Sequence, residues 1–318
     1  MRRGLETVTV FQSAALAVLT LALALALAPG AALAASDRPS VAFAEFDLPV
    51  GEEGRMASVR LAYPVKGEDL LLVGFSHGAN SDNGQYDRVA ERLADAGYVV
   101  AIPTHVDSET NPDRDAFDQA AVMTTRLEDM MATLVAHEAV RAAAPELEDR
   151  LMDAPVAAAG HSYGALIAQI MGGARVMNGA VGARAPSVAA VLAISPPGPF
   201  PNFVSAESFA TLETPMLVTT GTADILPGFI DDWRAHLLSH EAAPPGGQVA
   251  LVSDGVDHYF GNVIGRLSLE SPAQDAAFER AMDLSAAFLD AELRGRRAVW
   301  DGLKSEIDGE TDHEILER

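Results

Sequence analysis

Residues 155–173, PVAAAGHSYGALIAQIMGG, constrain the fold of this chain more tightly than any other stretch. A short apolar run ends in Gly160-His161-Ser162-Tyr163-Gly164, and a helix-favouring segment with apolar spacing follows. This is the form of a strand that turns sharply into a helix with a serine at the apex. So tight a turn leaves no room for bulk two residues before or after the serine. Glycine stands at both places, and Ala158, Ala159 and Ala165 keep the surroundings small. A helix starting at Tyr163 directs its first N–H groups and positive dipole end at the serine, which favours a developing oxyanion. Ser162 therefore reads as a nucleophile.

On either side of this turn, short apolar runs alternate with amphipathic segments. Residues 41–46 and 56–63 read as a hairpin around Gly51 and Gly54. Residues 69–75, 98–102, 187–194, 216–220 and 248–253 read as strands buried on both faces. Helices are expected at 85–96, stopped by Gly97, and at 115–151, one long amphipathic helix broken at Pro145. Two more are expected at 229–239, carrying His236 and His240, and at 272–293. The alternation predicts an α/β fold with a mostly parallel central sheet of about eight strands and helices on both faces. From Arg294 the chain turns polar and acidic and reads as a solvated tail.

The first 34 residues have the features of a signal peptide. Arg2 and Arg3 open it, a leucine/alanine run spans 14–28, and Ala32-Leu33-Ala34 offers a small-x-small cleavage site. Cleavage after Ala34 would leave a catalytic domain at 35–293 and a tail at 294–318, in a periplasmic or secreted protein. The apolar run is short for a spanning helix, so no stable membrane insertion is expected after cleavage. A net charge of −23 argues against nucleic acid or anionic membrane surfaces as partners. The absence of cysteine excludes disulfides, a thiol nucleophile and thiolate metal sites.

A serine needs a histidine to take its proton, and an acid to orient that histidine. In a strand–turn–helix architecture the chain order is serine, acid, histidine, each on a loop at the carboxyl end of a strand. Of the histidines after Ser162, His236 and His240 fall on an expected helix and His313 in the tail. Only His258, in Asp254-Gly255-Val256-Asp257-His258-Tyr259-Phe260, follows a strand in a glycine-containing loop. Asp224, just after the 216–220 strand, is the expected acid, with Asp257, Asp254, Asp231 and Asp232 as rivals. Backbone N–H groups of Tyr163 and Ala79 are the expected oxyanion donors. His77 reads as shaping the loop that carries Ala79, His161 as a packing residue, and His105 as a pocket residue beside His77. Further pocket walls are expected from Phe200, Phe203, Phe209, Ile225, Leu226, Phe229, Tyr259 and Phe260.

The segments Phe75-Ser76-His77-Gly78-Ala79, AERLADAGYVVAIPTH (90–105), GHSYG (160–164) and DHYFGN (257–262) together resemble α/β-hydrolases. The resemblance, to bacterial relatives of platelet-activating-factor acetylhydrolase and to dienelactone-hydrolase-like esterases, covers roughly 41–293. It implies an α/β-hydrolase fold and a serine carboxylic-ester hydrolase that needs no metal or organic cofactor. The acetylhydrolase places its acid after the strand that follows the nucleophile helix. Ser195 occupies the matching position here, which directs the acid role to Asp224. No long lid insertion is evident, which favours short-chain or accessible polymeric esters. The same residues would serve amide, thioester or lactone hydrolysis, and a non-catalytic binding protein on this scaffold is the other class.

Overall fold

The computed structural model describes residues 41–51, 54–265 and 272–318. The expected signal peptide, 1–34, lies outside the described residues. Strands β1 (Val41–Val50) and β2 (Arg55–Pro64) form an antiparallel hairpin longer at both ends than its sequence pattern suggests. Strands β3 (Leu71–Ser76), β4 (Tyr98–Pro103), β5 (Val156–His161), β6 (Val188–Ile194), β7 (Met216–Gly221) and β8 (Gln248–Ser253) form the parallel centre of the sheet. All but β6 are buried at every position, which explains their continuous apolar runs.

The sheet has nine strands among the described residues, in the order β1-β2-β4-β3-β5-β6-β7-β8-β9, rather than about eight. The ninth, β9 (His313–Glu317), pairs antiparallel with β8 and comes from the stretch expected to be a solvated tail. In that stretch α7 (Arg297–Ile307) also forms, burying Trp300 and Ile307. Its acidic composition masks an apolar spacing at Trp300, Leu303 and Ile307, one helical face that the sheet's flank can cover.

Helices cover both faces. One apolar layer is built on α2 (Gln119–Thr133), α3 (His137–Ala143) and α4 (Tyr163–Gly172), with Met130, Leu134, Val140, Leu166 and Ile170 inside it. The other is built on α1 (Asp87–Asp95), α6 (Asp275–Arg294) and α7, with Val89, Leu93, Phe278, Phe288 and Trp300. The single long helix expected over 115–151 is in fact two. Thr133 returns its hydroxyl to the carbonyl of Asp129 (2.7 Å), a contact that bends helices. Leu134 and Ala136 then turn into the core while Val135 is 65% exposed, so the helix ends well before Pro145.

The helix expected over 229–239 also starts late. Leu226 and Ile230 form a tight bridge around Pro227 and Gly228, and helical turns begin only at Trp233–Leu237, continuing into α5 (Leu238–Ala242). No helix among the described residues is long and apolar enough to cross a membrane.

Candidate active site

The chain runs β3, β4 on one side of β3 and then β5 on the other, so the strand order reverses between β3 and β5. Open α/β sheets place their ligand crevice at such a reversal, outside the carboxyl ends of the strands. Ser76 ends β3 there, and Ser162 follows β5. Ser162 has φ 54° and ψ −121°, a strained conformation for a residue with a side chain. The turn it makes is closed on both sides. A Cβ on Gly160 would meet the carbonyl oxygen of Gly164 at 2.3 Å, and one on Gly164 would meet that of Ser76 at 1.9 Å. Ser162 is half-buried, and among the described residues no hydrogen bond engages its hydroxyl.

Asp224 and His258 come together from the loops after β7 and β8. His258 Nδ1 lies 2.7 Å from Asp224 Oδ1, and Thr220 donates its hydroxyl to Asp224 Oδ2 at 2.9 Å. Burial pushes the Asp224 carboxyl up, but hydrogen bonds from His236 and His258 outweigh it and hold the group well below the usual carboxylate range. The Nε2 of His258 is buried and has no hydrogen-bond partner among the described residues. His258 is held beside the serine turn by His161, whose Nε2 lies 2.8 Å from the carbonyl oxygen of His258 and whose ring centroid is 4.7 Å from that of His258.

The rival acids have local duties. Asp257 accepts from the backbone N–H groups of Tyr259 and Gly261, both at 2.9 Å. Asp254 accepts from Thr222 Oγ1, Asp231 from the N–H of Gly228, and Asp232 from that of Arg234.

Two expected oxyanion donors, the backbone N–H groups of Ala79 and Tyr163, make no hydrogen bond to a described residue. The N–H of Gly78 is not free for that purpose, because it donates to the hydroxyl of Tyr86 at 3.0 Å. Tyr86 Oη is 2.8 Å from His161 Nδ1, so one buried chain of contacts joins the loop after β3 to the serine turn and, through His161 Nε2, to His258. A carbonyl can only accept, so His161 Nε2 carries the proton and Nδ1 accepts from Tyr86. Burial pushes His161 down to about 3, consistent with a neutral ring.

His77, expected to shape the loop and with His105 to line the pocket, is buried, and so is His105, so neither forms an exposed wall. His77 Nδ1 donates to the carbonyl of Gly78 (2.8 Å), and its Nε2 accepts the N–H of His105 (3.0 Å). His105 bridges Ser76 Oγ (2.8 Å from Nε2) and Asp129 Oδ2 (2.8 Å from Nδ1). Burial holds both rings well below the usual histidine range, His105 and Arg126 adding to it at His77 and Arg126 at His105.

Arg126 organises this network and was not singled out in the sequence. Its guanidinium donates to Asp107 through Nε (2.8 Å) and Nη2 (2.9 Å), and to the carbonyls of His77 (2.7 Å) and Gly78 (3.0 Å). It also lies over the ring of Tyr163, 4.7 Å from the centroid. The available signal was positional. Arg126 and Asp129 fall on the same helical face as Met123, Met130 and Thr133, and a charge on an apolar stripe must be paired.

The aromatic walls divide. Phe209 and Phe260 are core residues. Phe200 (40% exposed), Ile225 (42%) and Phe229 (54%) are open to solvent, and the rings of Phe200 and Phe229 sit 5.7 Å apart, with Phe203 edge-on to Phe200 at 6.2 Å. Leu226 is half-buried. Tyr259, also half-buried, is edge-on to the His258 ring at 4.9 Å.

His236 is the residue whose place the sequence most misjudged. Its Nε2 lies 2.9 Å from Asp224 Oδ1, the oxygen that His258 also uses. Asp224, His236 and His258 thus present metal-ligand atoms within 4.8 Å of one another, but those atoms already serve the hydrogen bonds among the three. Glu310, Asp312 and His313 form a second such group on the surface.

No protein-family model matches this chain, and no curated protein matches it. The arrangement brings to one sheet edge a strained serine, an oriented imidazole with an unpartnered nitrogen among the described residues, and two N–H groups unpaired among them.

Proposed function

We propose that the protein is an exported serine hydrolase of the α/β-hydrolase fold that cleaves carboxylic esters, short-chain or accessible ones, through Ser162, His258 and Asp224. The observation that carries this reading is the Asp224–His258 hydrogen bond at 2.7 Å with His258 Nε2 left buried and unpartnered, next to a serine held at positive φ. Asp224 fixes the tautomer with the proton on Nδ1, so that Nε2 is the basic nitrogen.

In the proposed cycle Ser162 Oγ attacks the ester carbonyl carbon as His258 Nε2 takes its proton. The N–H groups of Tyr163 and Ala79 donate to the resulting oxyanion, an interaction worth about 2.7–4 kcal/mol per donor in comparable sites. Collapse of the tetrahedral intermediate breaks the C–O bond, and His258 returns the proton to the departing alcohol. Water then attacks the acyl-serine with His258 again as base, releasing the acid and restoring the hydroxyl.

Hydrolysis of p-nitrophenyl acetate and butyrate, with fluorophosphonate labelling mapped to a peptide, tests the proposal. Ser162→Ala and His258→Ala should each lower kcat by about four orders of magnitude or more while leaving the fold intact. Wild-type rates in either variant, or a label on another residue, would overturn it.

A further inference from the structure

His236 is buried, and every polar atom its ring nitrogens meet is an acceptor. Nδ1 lies 2.6 Å from the carbonyl oxygen of Pro196. Nε2 lies 2.9 Å from Asp224 Oδ1 and 3.2 Å from the carbonyl oxygen of Asp224. A neutral imidazole has one protonated nitrogen and one lone pair. In either neutral tautomer a lone pair would point at an oxygen lone pair within hydrogen-bond distance. Only the doubly protonated ring satisfies both contacts.

We infer that His236 is held as an imidazolium and acts as a positioning residue for Asp224, clamping that carboxylate between two N–H donors and anchoring it to the loop after β6. This role rests on the reading of His258 as the general base. The groups around His236 agree with it. Asp224 supplies the negative charge, and the His258 ring is 5.7 Å away. His161 donates Nε2–H to the backbone and is neutral. Arg234, on the same turn, is exposed and stacked over Trp233, while Asp232 accepts the N–H of Arg234. Burial pushes His236 down, but the hydrogen bond and charge of Asp224 outweigh it and raise the group above the ordinary histidine value.

The consequence for chemistry is electrostatic. With His236 charged, the resting Asp224–His236–His258 group is neutral in sum, and it becomes positive when His258 takes a proton. The fixed charge therefore opposes idle protonation of the base and extends the working range to lower pH.

Long-range proton–nitrogen NMR of the full chain labelled with 15N-histidine tests the charge directly. One of the eight histidines, assigned to His236 by its loss in His236→Gln or by through-bond correlation, should still show two protonated nitrogens at a pH above the ordinary histidine value of about 6.5. A neutral-tautomer pattern there would overturn the inference. The pH profile of kcat/KM tests the role. His236→Gln keeps one donor toward Asp224 without charge, and its acid limb should move to higher pH. An unmoved limb with a uniformly lower rate would reduce His236 to packing. A wild type inert to esters and to fluorophosphonate would instead refute the hydrolase reading, and the NMR pattern would still decide the charge.

Discussion

The hydroxyl of Tyr86 stands 2.8 Å from Nδ1 of His161, and this contact ties the loop after β3 to the loop after β8. Tyr86 accepts the N–H of Gly78 and donates its hydroxyl to Nδ1 of His161, which in turn donates to the carbonyl of His258. Two loops distant in sequence are thereby held in register with the serine turn between them.

Tyr86→Phe keeps the ring packed against Phe75 (5.2 Å between centroids) and removes the hydroxyl. The buried N–H of Gly78 and Nδ1 of His161 then both lose a partner, which should cost about 1–3 kcal/mol. Guanidinium denaturation reads this loss, and ester turnover should fall with it. An unchanged midpoint at unchanged m would show that the linkage carries no energy.

Gly164→Ala should be among the most damaging single changes in the chain. The added methyl would lie 1.9 Å from the carbonyl oxygen of Ser76 and 2.6 Å from that of His77, both backbone atoms that cannot swing aside. A loss above about 4 kcal/mol is expected, seen as insoluble product or a collapsed thermal transition. A folded, active Gly164→Ala protein would contradict the closed turn.

Asp107 should contribute a pH-dependent part of stability. Burial pushes its carboxyl up, but the Arg126 charge and hydrogen bonds outweigh that and bring it down to about 2. A carboxylate with a depressed folded value stabilises above its unfolded value of about 3.9, and this is lost as pH falls toward about 2, an effect of about 2 kcal/mol. Asp107→Asn should accordingly be less stable at neutral pH, and the gap to wild type should close on acidification. Denaturation curves across that range check it. A constant gap would mean that the Arg126–Asp107 pair is not the source.

Removing residues 308–318 deletes β9 and uncovers the edge of β8. An unpaired, fully buried-type strand such as β8 is a template for association with other chains. Light scattering should show aggregation of the shortened protein at concentrations where the full chain stays clear. A monodisperse shortened protein would argue against β9 as edge cover.

Much of the fold was legible because buried strands and amphipathic helices differ so strongly in period. The strand at 248–253 was read to the residue, and the Gly-x-Ser-x-Gly turn announced its own shape. That Asp224 and His258 lie in loops after neighbouring strands was legible from the order of the strands. What escaped reading depended on tertiary contacts. Arg126 looks like a surface charge until its helix face meets the loop after β3, and Asp129 until it meets Arg55 and His105. His236 looked like one residue of an amphipathic helix because nothing local reveals that the preceding bridge swings it onto Asp224. The last 25 residues were misread because acidic composition outweighed a spacing of only three apolar positions.

Ser76, Ser162, Ser195, Asp224 and His258 each follow or end a different strand of one parallel run. Parallel neighbours meet only through long crossovers, and such contacts form late because chain closure must precede them. Helical signal in a refolding experiment should therefore recover before the proposed ester hydrolysis does. The lag between the two would time the moment at which the last of these strands takes its seat.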